Sequence, residues 1–185
     1  MGFAKQIVEG WFSTDGRLGD RTLDQQMKGL GPLIERVPGK TVLDVGCAEG
    51  LIAMKLYDEG ASAVHGLEIV PGHAAVANKL RADRGCTFDV ADANAYKPKR
   101  KYDIVIMLAI LHKLTDPTAA CKRFASAARE LVVLRLPPRT APVIVDRRSG
   151  NYSHDMEAAL ETCGFFLTRK TLGHMEEWVG FFEKG

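Results

Sequence analysis

The chain has 185 residues, of which 46% are hydrophobic and 26% are charged, as in an ordinary globular domain. Its formal net charge of +2 neither requires nor excludes a nucleic-acid partner. No apolar run could span a bilayer, and the four cysteines and five histidines show neither a CxxC pair nor zinc-ligand spacing. We therefore expect a cytoplasmic protein with reduced thiols, no metal site and no membrane partner.

The first residues predict a helical cap. One amphipathic stretch carries apolar side chains at Phe3, Ile7, Val8, Trp11 and Phe12. After a loop at 13–22, a second helix is predicted from apolar residues at helical spacing, namely Leu23, Met27, Leu30, Ile34 and Val37. We assign 1–36 to an N-terminal cap or lid and 37–185 to the main domain. Trp11 either packs on that domain or covers a substrate.

From residue 41 onward, strand and helix patterns alternate. Strands are predicted at 41–46, 62–69, 86–91, 102–110 and 130–136. Helices are predicted from Glu49 to Asp58, from Pro71 to about Arg84, from Asp116-Pro117 to about Arg129, and after a Ser153 cap. This alternation predicts an α/β fold with a doubly wound, mostly parallel sheet.

The chain closes on two further strand patterns, 165–172 and 177–183. Only 173–176 separate them, which leaves no room for a crossover helix. They should therefore form an antiparallel hairpin at one side of the parallel sheet.

The stretch VLDVGCAEGLIA (42–53) carries the first functional signal. A buried strand ends in Asp44, and Gly46 and Gly50 follow in a loop. In open α/β sheets, ligands bind at the carboxyl ends of strands, where this loop lies. The glycines allow a tight turn and close approach of a ligand, and the helix beginning near Glu49 offers N–H groups to an anion.

The loop differs from a dinucleotide fingerprint of the GxGxxG type. Ala48 occupies the position of the second glycine, and the third glycine is missing. The Asp44 carboxylate would repel a pyrophosphate and suits a cationic amine instead. A ligand with both an ammonium and a carboxylate, such as an amino-acid nucleoside, therefore fits better than NAD.

These residues resemble the first motif of class I S-adenosylmethionine-dependent methyltransferases. The resemblance spans roughly 37–184: HGLEI matches the second strand, YDIVIMLAILHKL the fourth strand with its loop, and ELVVLRLPP the fifth. The final hairpin matches the reversed strand of that fold. The resemblance implies a Rossmann-like, seven-stranded sheet in the order 3-2-1-4-5-7-6.

The resemblance also implies a cofactor site for S-adenosylmethionine. Glu68 matches the acid that binds the ribose hydroxyls, and Asp92 matches the acid that meets the adenine amino group, with Asp89 as its competitor. The full set of implied cofactor contacts is Asp44, Gly46, Cys47, Ala48, Gly50, Glu68, Ile69, Asp92, Ala93 and Leu108.

The residues expected near the methyl acceptor support fewer predictions. His112 is the candidate base in the loop after the fourth strand, with a packed structural histidine as the alternative. The chain has no [DNS]-PP-[YFW] motif and no Pro-Cys nucleophile there, no spaced Lys-Asp-Lys-Glu set, and no large insertion for target recognition. These absences favour a small-molecule acceptor over a nucleic acid.

A basic segment at 135–152, where the fifth strand ends, keeps a nucleic-acid acceptor open. It contains Arg135, Arg139, Arg147 and Arg148. Together with Trp11, Arg135 and Arg139 are candidate substrate contacts, for an acidic or aromatic acceptor or for RNA. A solvated basic loop is the simpler interpretation. A module that binds S-adenosylmethionine without catalysing transfer also remains open.

Overall fold

The computed structural model describes residues 21–140 and 146–185. Seven strands form one sheet: β1 (Thr41–Val45), β2 (Ala63–Glu68), β3 (Cys86–Val90), β4 (Tyr102–Leu108), β5 (Ala128–Leu136), β6 (Phe165–Leu172) and β7 (Trp178–Lys184). Their order is β3-β2-β1-β4-β5-β7-β6. The first five are mutually parallel, and β7 runs antiparallel to both neighbours. The predicted fold class and strand order are confirmed.

Helices cover both faces of this sheet. They are α1 (Leu23–Met27), α2 (Gly31–Ile34), α3 (Leu51–Asp58), α4 (Pro71–Leu80), α5 (Pro117–Ala125) and α6 (Tyr152–Glu161), with short 3-10 turns at Leu111–Lys113 and His174–Glu176. No described helix is long and apolar enough to cross a membrane.

Strand β4 shows why both faces need helices. Val105 and Met107 belong to the core layer under α5 and α6, whereas Ile104 and Ile106 belong to the layer under α2, α3 and α4. Successive side chains of a strand point to opposite faces, so an uninterrupted apolar run needs cover on both. The β4 pattern was therefore interpreted correctly.

The single helix predicted over Leu23 to Val37 is wrong. The chain forms α1 and α2 with a break at Gly29, whose φ is +81°. A Cβ there would lie 2.8 Å from the carbonyl oxygen of Leu172, and the Thr171 hydroxyl donates to the Gly29 carbonyl at 2.6 Å. Docking against the end of β6 therefore overrides the helical periodicity.

Several element ends also differ from prediction. Gly50 adopts a φ of +75° in the N-cap position of α3, so that helix begins at Leu51 rather than near Glu49. Helix α4 ends at Leu80 and α5 at Ala125, each four residues early, and β5 begins two residues early at Ala128.

Ser153 does not cap α6, because it lies inside the helix. The entry is held instead by the Ser149 hydroxyl, which accepts the N–H of Asn151 at 3.2 Å and donates to the Asp155 carboxylate. The predicted cap at Asp116 is confirmed, since its carboxylate accepts the N–H of Ala119 at 2.9 Å.

Candidate functional site

The loop that follows β1 lies against the carboxyl end of β2. The N–H groups of Gly46 and Cys47 both donate to the Leu67 carbonyl, at 2.8 and 3.0 Å. The Glu68 carboxylate accepts the N–H of Ala48 and that of Val70, each at 2.9 Å. The side chain at the end of β2 therefore holds the glycine loop in place.

The two loop glycines are required by the backbone and by packing. Gly46 has a φ of +79° and Gly50 a φ of +75°. A Cβ at Gly46 would lie 2.9 Å from the Ile110 side chain, and one at Gly50 would lie 2.6 Å from the Phe88 ring. Neither glycine could carry a side chain without displacing the residue packed against it. That the two glycines also allow close approach of a ligand stays a prediction.

Three buried carboxylates surround this loop. Asp44 is 3% exposed, Glu49 2% and Glu68 8%. Burial is the largest cause that raises the pKa of Asp44 to about 7; the nearby Glu68 charge adds to this, and Arg135 opposes it. Burial also raises the pKa of Glu49. A cation would relieve the mutual repulsion, which fits the expected cationic ligand.

His73 is a residue that the sequence interpretation missed. It lies in the first turn of α4, with Nε2 3.4 Å from Glu49 and Nδ1 4.0 Å from Glu68. Its place five residues after the strand-end acid Glu68 was the available signal. Glu49 was named only as a helix start, because a buried acid inside a loop has no periodic signature.

A pocket that opens to solvent lies beside the loop, with about 410 Å³ of space that includes open solvent. Four of the expected cofactor residues line it, together with Arg135: Asp44, Gly46, Cys47 and Leu108. Arg21 and Gln26, from the segment at α1, also line it and were not predicted. Within 21–140 and 146–185, no group of three or more His, Cys, Asp or Glu is placed to hold a metal ion.

The loop after β3 separates the two competing acids. The Asp89 carboxylate lies 2.9 Å from Nε2 of His65, a buried residue of β2. Asp92 lies in the exposed loop beyond the strand and accepts the N–H of Asn94 at 2.8 Å. Asp92 is therefore presented at the sheet edge, while Asp89 is engaged with the neighbouring strand.

The other residues expected on this side lie at the ends of β2, β3 and β4. Ile69 is 56% exposed, a large apolar surface directly after Glu68, and Ala93 is buried. An exposed apolar side chain next to an acid suits a ligand with a flat ring and hydroxyl groups. These assignments stay predictions.

His112 lies in the 3-10 turn after β4 and is 2% exposed. Burial, together with the charges of Lys113 and Arg148, lowers its pKa to about 4. Among the described residues its Nδ1 has no hydrogen-bond partner. The imidazole is therefore neutral at pH 7 and has a free ring nitrogen, although burial reduces its basicity.

The arginines of the basic segment do not form one clamp. Arg135 is buried in β5, with Nε 3.5 Å from Glu177. Arg139 and Arg148 both pair with Asp146, at 3.3 and 2.8 Å. Arg135 faces the pocket beside Asp44, whereas Arg139 is exposed on the loop beyond β5. Trp11, the third candidate substrate contact, lies outside the described residues.

The chain is similar in sequence to known methyltransferases. Residues 20–181 match a family described as a methyltransferase domain. The chain is 28% identical over 129 residues to a malonyl-[acyl-carrier protein] O-methyltransferase of Anoxybacillus flavithermus, covering 68% of this chain and 50% of that protein. It is 31% identical over 134 residues to an aklanonic acid methyltransferase of Streptomyces sp. strain C5, covering 66% of this chain and 60% of that one. The chain thus spans about half the length of these curated relatives.

A similar solved structure is magnesium protoporphyrin IX methyltransferase from Synechocystis PCC 6803, crystallised with bound S-adenosylmethionine. The TM-score is 0.70 at 22% identity, covering 88% of this chain and 80% of that one. The likeness establishes the shared fold.

Proposed function

We propose that this chain transfers a methyl group from S-adenosylmethionine to a small-molecule acceptor. The premise is that the chain belongs to the class I S-adenosylmethionine-dependent methyltransferase family. One observation carries the proposal: Glu68 holds the glycine loop at the carboxyl edge of the sheet, beside a pocket lined by the buried acid Asp44. Both acids match positions of the family's motifs in the sequence resemblance.

The cofactor would bind across the ends of β1, β2 and β3. Glu68 would accept its ribose hydroxyls, and Asp92 its adenine amino group. Asp44 would face the α-ammonium group, because a buried carboxylate with a raised pKa gains from a nearby cation. Ile69 and Ala93 would flank the adenine, and Cys47, Ala48 and Leu108 would contact the rest of the cofactor.

When bound, the cofactor supplies an electrophilic methyl group on a sulfonium. The chain aligns the donor and acceptor atoms and excludes water, which accounts for most of the rate gain in such reactions. We assign His112 as the base that takes up the proton released by the methyl acceptor. Its ring is neutral, and its Nδ1 has no partner in the part of the chain that the structure describes.

The acceptor is proposed to be small and acidic or aromatic. The curated relatives are named for acyl-carrier-protein-bound malonyl and for aklanonic acid. In this chain Arg135 lines the pocket, and Arg139 is exposed on the loop beyond β5. Arginines at such positions suit a carboxylate.

The test begins with calorimetric titration of S-adenosylhomocysteine, followed by turnover of S-adenosylmethionine with a panel of small carboxylic and phenolic acceptors. Asp44→Ala should abolish measurable binding, whereas Asp58→Ala, which removes a surface acid paired with Arg84, should not. Binding without transfer to any acceptor would favour a non-catalytic module. Transfer to RNA with a steep loss of binding in added salt would favour a nucleic-acid substrate.

A further inference from the structure

A buried polar network joins α1 to the wall of the pocket. The side chains of Arg135 and Glu177 are 3% and 2% exposed. Arg135 donates through Nη2 to the carbonyl of Gln26, and Arg21 donates to the Glu177 carboxylate at 2.8 Å. These contacts bring the α1 segment, which lies outside the family's first motif, against β5 and β7 beside Asp44.

The side chain of Gln26 is the unusual member of this network. Gln26 is 1% exposed and lines the same pocket as Asp44. Its Nε2 donates to the Arg21 carbonyl at 3.4 Å, but in residues 21–140 and 146–185 its Oε1 has no hydrogen-bond partner. Rotating the amide would not help, since it would turn Oε1 toward the carbonyl oxygen of Arg21.

A buried acceptor without a partner lowers stability, so it calls for a physical explanation. The other two unpartnered atoms of the network, Arg135 Nε and Glu177 Oε2, at least face each other as opposite charges 3.5 Å apart. Gln26 Oε1 has no such counterpart among the described side chains. A ligand in the pocket is therefore the available source of a donor.

The pocket specifies the kind of donor. Asp44 and Gln26 Oε1 are both acceptors, and a group that satisfies both needs at least two N–H bonds and gains from a positive charge. A primary ammonium group meets these conditions. A carboxylate could pair with Arg135, which also lines the pocket, but it could donate nothing to Gln26 Oε1.

We infer that Gln26 accepts a hydrogen bond from the α-ammonium group of the cofactor, which it holds together with Asp44. The inference rests on the proposed function, because it assigns a residue to the cofactor of that site. Gln26 is then a binding residue supplied by the N-terminal segment, and its Oε1, which has no partner in the part of the chain that the structure describes, is available to the ligand.

The experiment compares Gln26→Leu and Gln26→Asn with the unchanged chain. Two probes are titrated by calorimetry: S-adenosylhomocysteine and its deaminated analogue, which lacks only the ammonium group. Both variants should bind S-adenosylhomocysteine roughly 10-fold to 100-fold more weakly, as expected for a hydrogen bond to a charged group. Their affinity for the deaminated analogue should stay within about twofold.

Thermal unfolding separates binding from folding. Because Oε1 has no partner among the described residues, Gln26→Leu should unfold at or above the temperature of the unchanged chain. Equal losses for the two probes, no loss for either, or a clear fall in unfolding temperature in both variants would overturn the inference alone. Failure of the unchanged chain to bind either probe would instead overturn the proposed function, and this inference with it.

Discussion

The Glu68 carboxylate accepts the backbone N–H of Ala48 at 2.9 Å, so the last residue of β2 holds the loop that follows β1. Its second oxygen accepts the N–H of Val70 at 2.9 Å and thereby also fixes the entry to α4. One side chain orders both segments that border the proposed cofactor site. The ligand hydroxyls would bind to a carboxylate that is already positioned by the fold.

Glu68→Gln should weaken S-adenosylhomocysteine binding at least roughly tenfold, because the charge-assisted bonds to the loop and to the ribose are lost. It should also destabilise the chain by about 1 to 2 kcal/mol. Calorimetry and urea denaturation measure the two effects. Glu59→Gln is the control, since that partly exposed acid pairs with Lys55 on the helix surface. An unchanged affinity would remove Glu68 from the site.

Asp92→Ala should weaken S-adenosylhomocysteine binding roughly fivefold to tenfold, whereas Asp89→Ala should leave it nearly unchanged. The reason is that Asp92 is presented in the loop beyond β3, while Asp89 is engaged with His65. The same titrations with S-inosylhomocysteine, which lacks the adenine amino group, should show no effect of Asp92→Ala. The opposite order of the two variants would make Asp89 the adenine contact.

Cofactor affinity should depend on pH through Asp44. Its pKa is about 7 against an ordinary 3.8, so the free site is protonated below pH 7. An ammonium group binds the ionised form, and affinity should fall by up to about tenfold per pH unit below 7. Calorimetry at pH 5.5 to 8.5 tests this, and Asp44→Asn should bind weakly with a flat profile. A flat profile in the unchanged chain would contradict the assignment.

The raised pKa of Asp44 also makes the stability of the folded chain depend on pH, but in the opposite direction to cofactor affinity. The folded chain holds this proton more tightly than the unfolded chain does. The stabilising contribution is therefore complete below pH 3.8 and is lost as the pH rises to about 7. Asp44→Asn should accordingly raise the unfolding temperature at pH 8 and not at pH 4, while cofactor binding is weakened.

His112→Gln should lower kcat by roughly 100-fold and leave the affinity for S-adenosylhomocysteine within about twofold. Because the pKa of His112 is lowered to about 4, its titration should leave kcat unchanged between pH 5 and 8. Steady-state kinetics across that range, with calorimetry beside it, tests both statements. Near-wild-type turnover would assign His112 a purely structural role.

Gly50→Ala should destabilise the chain by about 2 to 4 kcal/mol. Its φ is +75°, and the added Cβ would lie 2.6 Å from the Phe88 ring. Gly31→Ala is the matched control, since no atom lies within 4 Å of its added Cβ and its φ is ordinary. Urea denaturation should place the control within about 0.5 kcal/mol of the unchanged chain, or above it. Equal midpoints for both variants would contradict the packing argument.

Local signals predicted the strands well because burial leaves a periodic trace. The apolar run of β4 indicated a central strand, and the four-residue gap before β7 indicated a hairpin; both are confirmed. The helix over 23–37 failed for the opposite reason. Its break at Gly29 is imposed by Leu172, more than 140 residues away, and periodicity carries no information about such a contact.

The arginines show the same limit at the site. Arg135, Arg139 and Arg148 are close in sequence, and the pattern predicts either a shared substrate contact or a solvated basic loop. A β-strand and two carboxylates divide them: Glu177 pairs with the first, and Asp146 with the other two. A charge pattern predicts a composition, whereas the partner of each charge depends on which strands are neighbours.

The sequence by itself determined the alternation of strands and helices, the glycine loop after β1 and the acids Asp44 and Glu68, because each leaves a local mark in residue type and spacing. Only the tertiary structure decided that Glu68 binds the loop, that His73 and Glu49 join it, and that Gln26 lines the pocket. These relationships are made between segments distant in the chain. Their energies come from burial and hydrogen-bond geometry, which exist only once the sheet has brought those segments together.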